Sequence, residues 1–142
     1  MRERKGRAKT VCSCINLRRA ANAITEHYDR LLEAGGLTVN QYSLLKNLKR
    51  LGVCSTSDLA VHVGLERTTL VRTIKPLFAK GYMEDISPVE ARNRQIQVTA
   101  NGAEVLEVCE PLWEKAQKSV EEKIGAENVP VLMQMLSMLE EM

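Results

Sequence analysis

Residues 56–83, TSDLAVHVGLERTTLVRTIKPLFAKGYM, constrain this chain more than any other stretch. A short helix is expected from Ser55 or Thr56, with Asp58 helping its first turn, ending at Gly64. A longer helix follows from about Glu66 to Lys80. The spacing has a physical reason: Ala60 is small where two helices cross closely, Gly64 permits the tight turn, and Leu70 anchors the next helix in the core. Leu59, Val63 and Leu65 are expected to fill the other buried places. In the longer helix Leu70, Val71, Ile74, Leu77 and Phe78 share one face, and Arg67, Thr68, Thr69, Arg72, Thr73 and Lys75 take the remainder. Pro76 removes the bond to the carbonyl of Arg72 and should bend or weaken that turn. Gly81 then ends the helix and the period changes. YMEDI and QIQVT read as two strands joined by the polar loop SPVEARNR, which makes a hairpin with arginines at its tip. The order is a helix-turn-helix followed by a wing.

The flanks are helical too. Cys14, Leu17, Ala21, Ile24, Tyr28 and Leu31 form a narrow three-four stripe that resembles a coiled-coil seam and stops at Gly35-Gly36. Thr38 sits three residues before Gln41, the capping-box arrangement, and opens a second helix to Gly52. After Asn101-Gly102 the helical period returns through Trp113 and Ala116, and again after Gly125. The expected fold is mainly α with a small β hairpin, a winged helix-turn-helix flanked by N- and C-terminal helices. Residues 1–10 read as a basic flexible tail and 11–142 as a single domain.

Charge separates these parts. Residues 1–100 hold 17 Lys and Arg against 9 Asp and Glu, a surplus of eight cations, whereas residues 101–142 hold 3 against 9, a surplus of six anions. The first hundred residues suit a polyanion and the last forty do not. Other classes fare poorly. Residues 1–30 lack a signal-peptide core, no window approaches a membrane span, and the four cysteines form no disulfide framework, so a cytoplasmic protein with reduced thiols is expected. His27 and His62 sit in no metal or nucleophile motif, and Cys12 and Cys14 have no second Cys/His pair after them. No enzyme, metal or cofactor is expected.

The stretches GLTVNQYSLL, residues 56–83 and EARNRQIQVTANG resemble the winged-helix regulators of the multiple antibiotic resistance regulator (MarR) family. The family's wing carries Asp-x-Arg, then a hydrophobic residue and Thr at fixed spacing; the matching positions are Glu90, Arg92, Val98 and Thr99, with Glu replacing Asp. The resemblance implies a winged helix-turn-helix with N- and C-terminal dimerisation helices: a homodimer whose terminal helices, in 11–34 and 101–142, interlock while the wing and recognition helix of each DNA-binding lobe, 38–100, grip half of a palindromic duplex. Arg67, Thr68, Thr69, Arg72 and Thr73 would then face the major groove, Arg72 foremost, and Lys75 a phosphate. Arg92 and Arg94 would meet the minor groove or its phosphates, unless Arg92 pairs with Glu90 to hold the loop. The implied function is a DNA-binding transcription regulator, a repressor released by a small molecule or an oxidant. The alternative is a winged helix that binds protein or RNA without sequence-specific DNA binding.

In this family effectors commonly enter a cleft between the dimer helices and the winged lobe, which points to Arg18, His27, Tyr28, Tyr42 and Trp113. The rival trigger is redox. Cys14 falls where the organic-hydroperoxide-sensing branch has its reactive thiol, although two tyrosines of that branch correspond to Arg18 and Val39 here. A thiol in a first helical turn, with Arg18 one turn on, is favoured as thiolate. Cys12 could resolve an oxidised Cys14. The pair makes a poor metal clip, because two helical residues at this spacing point roughly 200° apart. Cys54 and Cys109 read as small buried hydrophobes.

Overall fold

The computed structural model of the chain describes residues 7–142. Six α-helices and three short strands follow in order: α1 Ser13–Leu32, α2 Val39–Leu51, β1 Cys54–Ser55, α3 Thr56–Val63, α4 Arg67–Ala79, β2 Met83–Asp85, β3 Gln95–Val98, α5 Ala100–Ile124 and α6 Val129–Glu140. Part of the expected tail, residues 1–6, lies outside the described residues. Where description begins, the chain is tied to α1: Arg19 Nη1 donates to the Ala8 carbonyl at 2.8 Å and Asn16 Nδ2 to the Thr10 carbonyl at 2.8 Å.

Local chemistry sets the boundaries. Thr38 accepts from the Gln41 amide and the Gln41 side chain accepts from the Thr38 amide, the reciprocal capping box expected at α2. Ser55 caps α3 through the Asp58 amide at 3.0 Å, and Gly64 ends it at φ 73°, a left-handed value that a side chain would disfavour. Helix α4 runs through Pro76 to Ala79, where the Lys80 amide bonds the Pro76 carbonyl at 3.0 Å.

Leu45, Leu48, Leu59, Leu70, Leu77 and Ile96 are wholly buried and join α2, α3, α4 and the sheet into one core that extends to Leu32 and Cys109. Two expectations within it need correction. Leu65 and Val71 stay exposed, at 37% and 48%. Leu65 follows the turn glycine outside both helices, and Val71 lies about 100° around α4 from Leu70, beyond the buried arc.

The wing is three-stranded, not a plain hairpin. β3 lies between β1 and β2, antiparallel to both, with Cys54 opposite Ile96 on one side and Met83 opposite Val98 on the other. Thr99 ties its base: the hydroxyl donates to the Gly81 carbonyl at 2.6 Å and accepts from the Gly102 amide at 3.0 Å, capping α5. Gly102 packs so closely beneath the Tyr82 carbonyl that a Cβ there would collide with backbone.

Candidate nucleic-acid interface

Helix α4 is held by Leu70, Ile74 and Leu77, and that anchoring decides which side chains project. Arg67, Thr68, Thr69, Arg72 and Lys75 are all exposed. Thr68, Arg72 and Lys75 lie at the centre of the arc opposite the anchors, with Arg67 and Thr69 on its flanks. Thr73 differs. It is half-buried, and its hydroxyl donates to the Thr69 carbonyl at 2.8 Å, as a helical threonine often does. No side chain caps the first turn, so its amides remain open toward the side from which Arg67 and Thr68 project.

The wing separates its two arginines. Arg94 Nε meets Asp85 Oδ2 at 2.7 Å and Nη1 donates to the Pro88 carbonyl at 2.9 Å, so the residue just before β3 crosses to β2 and the loop. Asp85 Oδ1 also accepts from the Ser87 amide at 2.9 Å. The hydrogen bond from Arg94, helped by those from Ser87, holds the Asp85 carboxyl down at about 2. Arg92 is exposed at the tip, and among the described residues no ion pair joins it to Glu90. The loop is therefore held by Arg94 and Asp85, not by the Arg92–Glu90 pair weighed from the sequence. The acidic β2 residue on which this depends lies outside the Glu90-x-Arg92 motif.

The five residues expected to line one effector cleft are divided. Tyr42 and Trp113 stack with ring centroids 6.2 Å apart, and Lys46 Nζ lies 5.5 Å and 5.1 Å from their centroids. These three, with Ser43, Asn47 and Arg50, line a shallow groove of about 280 Å³. His27 belongs to a different, largely apolar groove of about 630 Å³ between α1 and α5, lined by Ala23, Ile24, Ser119, Val120 and Ile124 among others. Ser119 Oγ lies 2.6 Å from His27 Nε2 and 2.7 Å from the Ala116 carbonyl, so this hydroxyl links α1 to the backbone of α5. Tyr28 is buried beside it, bonded to Gln117, and burial followed by the Glu121 charge raises its pKa. Arg18 is exposed one turn beyond Cys14.

Both N-terminal thiols are exposed. Cys12 is extended, at φ −68° and ψ 114°, as the residue before α1, and Cys14 stands in the first turn. Cys54 is half-buried, and burial plus Asp58 raises its pKa. Cys109 is fully buried under Gly35, where desolvation outweighs the hydrogen bond with the Leu37 backbone and raises its pKa. Among the described residues no cluster of His, Cys, Asp and Glu could hold a metal ion, and no helix is long and apolar enough to cross a membrane.

The sequence model of the MarR family matches residues 37–87, from the turn before α2 through β2. Among solved structures, the M. tuberculosis transcriptional regulator MosR in complex with DNA is 32% identical, aligned over 92% of this chain and 94% of that one with a TM-score of 0.82. The chain belongs to the MarR family. The family's architecture extends to more distant relatives. The transcriptional repressor CouR, bound to a 23-mer duplex, is 21% identical over 95% of this chain and 99% of its own, with a TM-score of 0.82. The oxidised form of MarR from E. coli is 15% identical over 92% and 96%, with a TM-score of 0.72. At those identities the likeness shows the fold alone. No curated protein sequence matches the chain.

Proposed function

We propose that this MarR-family chain is a DNA-binding transcription regulator, a repressor that grips a pseudo-palindromic duplex as a homodimer. The observation that carries the reading is the exposed arc of α4, where Arg67, Thr68, Arg72 and Lys75 project from a helix whose other side is locked into the core. A rigid helix presenting donors in that way fits a major groove, and the net positive charge of residues 1–100 supports attraction to phosphate. The relative of 32% identity was solved with DNA bound, which supports the same conclusion. Arg72 reads bases, Lys75 and Arg67 hold phosphate, and Arg92 reaches the phosphates that border the neighbouring minor groove. Thr69 stands at the edge of the surface. Arg94 and Thr73 serve chiefly by shaping it.

A second copy covers the terminal helices. Ile15, Leu17 and Ile24 on α1 and Val131, Met133, Met135, Met138 and Leu139 on α6 remain exposed, and α6 buries no residue within one chain. So much uncovered apolar surface on two helices fits an interface between copies. The lobe is residues 38–100, and the pairing helices are 11–34 and 101–142.

Release follows a small molecule or an oxidant. The stacked Tyr42–Trp113 pair beside Lys46 suits a small ligand, and exposed Cys14 with Cys12 nearby suits oxidation to a sulfenic acid and then a disulfide. The deciding experiment follows binding to duplex DNA as salt is raised. A steep linear fall in log affinity, with specific binding lost in Arg72→Ala, is expected. Salt-insensitive binding, or retention of full specificity by Arg72→Ala, refutes the reading. For the oxidant, peroxide should release DNA from wild type and not from Cys14→Ser; equal release from both assigns Cys14 to packing.

A further inference from the structure

Val71 is the one large apolar side chain of α4 left strongly exposed, at 48%. It sits one turn after Arg67, three residues after Thr68, directly before Arg72 and one turn before Lys75. An aliphatic side chain among cations gains nothing from water. A β-branched residue also forms helix less readily than the Lys, Glu or Ala that an exposed position would accept. The intrachain core does not need it, since Leu70, Ile74 and Leu77 fill the buried arc.

We propose that Val71 contacts the C5 methyl of a thymine in the major groove, and so specifies an A·T pair beside the base read by Arg72. The thymine methyl is the one alkyl group that the four base pairs present in that groove, and a short branched aliphatic chain is its complement. Arg67, Arg72 and Lys75, all exposed around Val71, bring polyanionic DNA to this patch rather than an apolar protein surface. Thr73 does not compete for the role, because it is half-buried with its hydroxyl committed to the Thr69 carbonyl.

The inference rests on the DNA-binding reading above, and its test separates the two. The probe is the tightest duplex recovered by selection from a randomised library with the full-length protein. Each thymine of a half-site is then replaced singly by deoxyuridine, which removes the methyl and leaves base pairing intact. Wild type should lose roughly three- to fivefold in affinity at one thymine per half-site, about the worth of one buried methyl group. Val71→Ala should bind the thymine duplex weaker by a similar factor and be indifferent to the swap at that position alone. Val71→Thr, which keeps one methyl, should restore part of the sensitivity. Indifference of wild type to every swap overturns the inference, and so does a Val71→Ala protein as sensitive as wild type. Recovery of no duplex at all removes the DNA-binding reading itself.

Discussion

Leu59, Leu70 and Leu77 in the winged lobe are wholly buried by their own chain, whereas Val131, Met133, Met135 and Met138 on α6 keep 49–62% of their surface exposed. Both regions carry amphipathic helices, so helical periodicity alone does not tell their roles apart. What differs is what covers them. In the lobe, α2, α3, α4 and the sheet close around one another, and the polar residues left outside are largely cationic or hydroxylic. In the terminal helices the apolar side chains themselves are left outside, and residues 101–142 as a whole carry nine carboxylates against three cations. A surface that repels phosphate and exposes methionine fits a second copy of the chain; a surface of arginine and threonine around a buried leucine row fits DNA.

The largest effect should come from breaking the lobe. Leu70→Ala removes a fully buried anchor of α4 and should cost about 2–5 kcal/mol in denaturant unfolding, with DNA binding lost as well. A stability change below about 1 kcal/mol would mean that α4 is not held as described. Met135→Glu on α6 should do the reverse: sedimentation should show self-association weakened at least about tenfold, while the lobe keeps its fold. If dimer affinity is unchanged, α6 does not lie in the interface.

Within the lobe, the wing arginines sharpen the contrast between contact and support. Arg92→Ala should weaken binding to all sequences alike and reduce the salt slope by about one. Arg94→Ala should weaken binding with the slope unchanged, because Arg94 is spent on Asp85 and Pro88. An equal loss of slope in both variants would make Arg94 a phosphate contact.

Two smaller effects concern titration and reactivity. Asp85 has a folded pKa below its unfolded value, so its contribution is complete above the ordinary carboxylate range and is lost as pH falls through about 2. The wing should therefore be unchanged between pH 5 and 8, with an NMR midpoint for Asp85 near 2; a midpoint near 4 would mean the pin to Arg94 is absent. Cys12 and Cys14 should react with a thiol reagent in the native protein, and Cys109, buried and with its pKa raised, only on unfolding. Native labelling of Cys109 would show that α5 opens there.

Much of this architecture was legible because local chemistry dictates it. Thr38 and Gln41 announce a helix start by themselves, Ser55 and Gly64 bracket α3, and the change from helical to alternating period marks the wing. What escaped depends on atoms distant in sequence. Cys54-Ser55 is too short to carry a strand pattern and becomes β1 only because β3 offers a free edge. Arg94 and Asp85 are nine residues apart, and nothing in the loop between them signals the pair. Val71 reads as core in sequence because it follows Leu70 and precedes Ile74, and only the position of the buried arc moves it outward. Spacing along the helices groups Tyr42 and Trp113 with His27 in one cleft, whereas the packing of α5 against α1 and α2 puts them in two separate grooves.

The central claim is that one lobe reads DNA and the terminal helices pair two lobes. The mass of the complex between purified protein and a selected palindromic duplex, measured by analytical ultracentrifugation, tests it most directly. Two chains on one duplex is the expected result, with no stable one-chain complex and with Met135→Glu shifting assembly and DNA affinity together. A single chain bound at full affinity would contradict it.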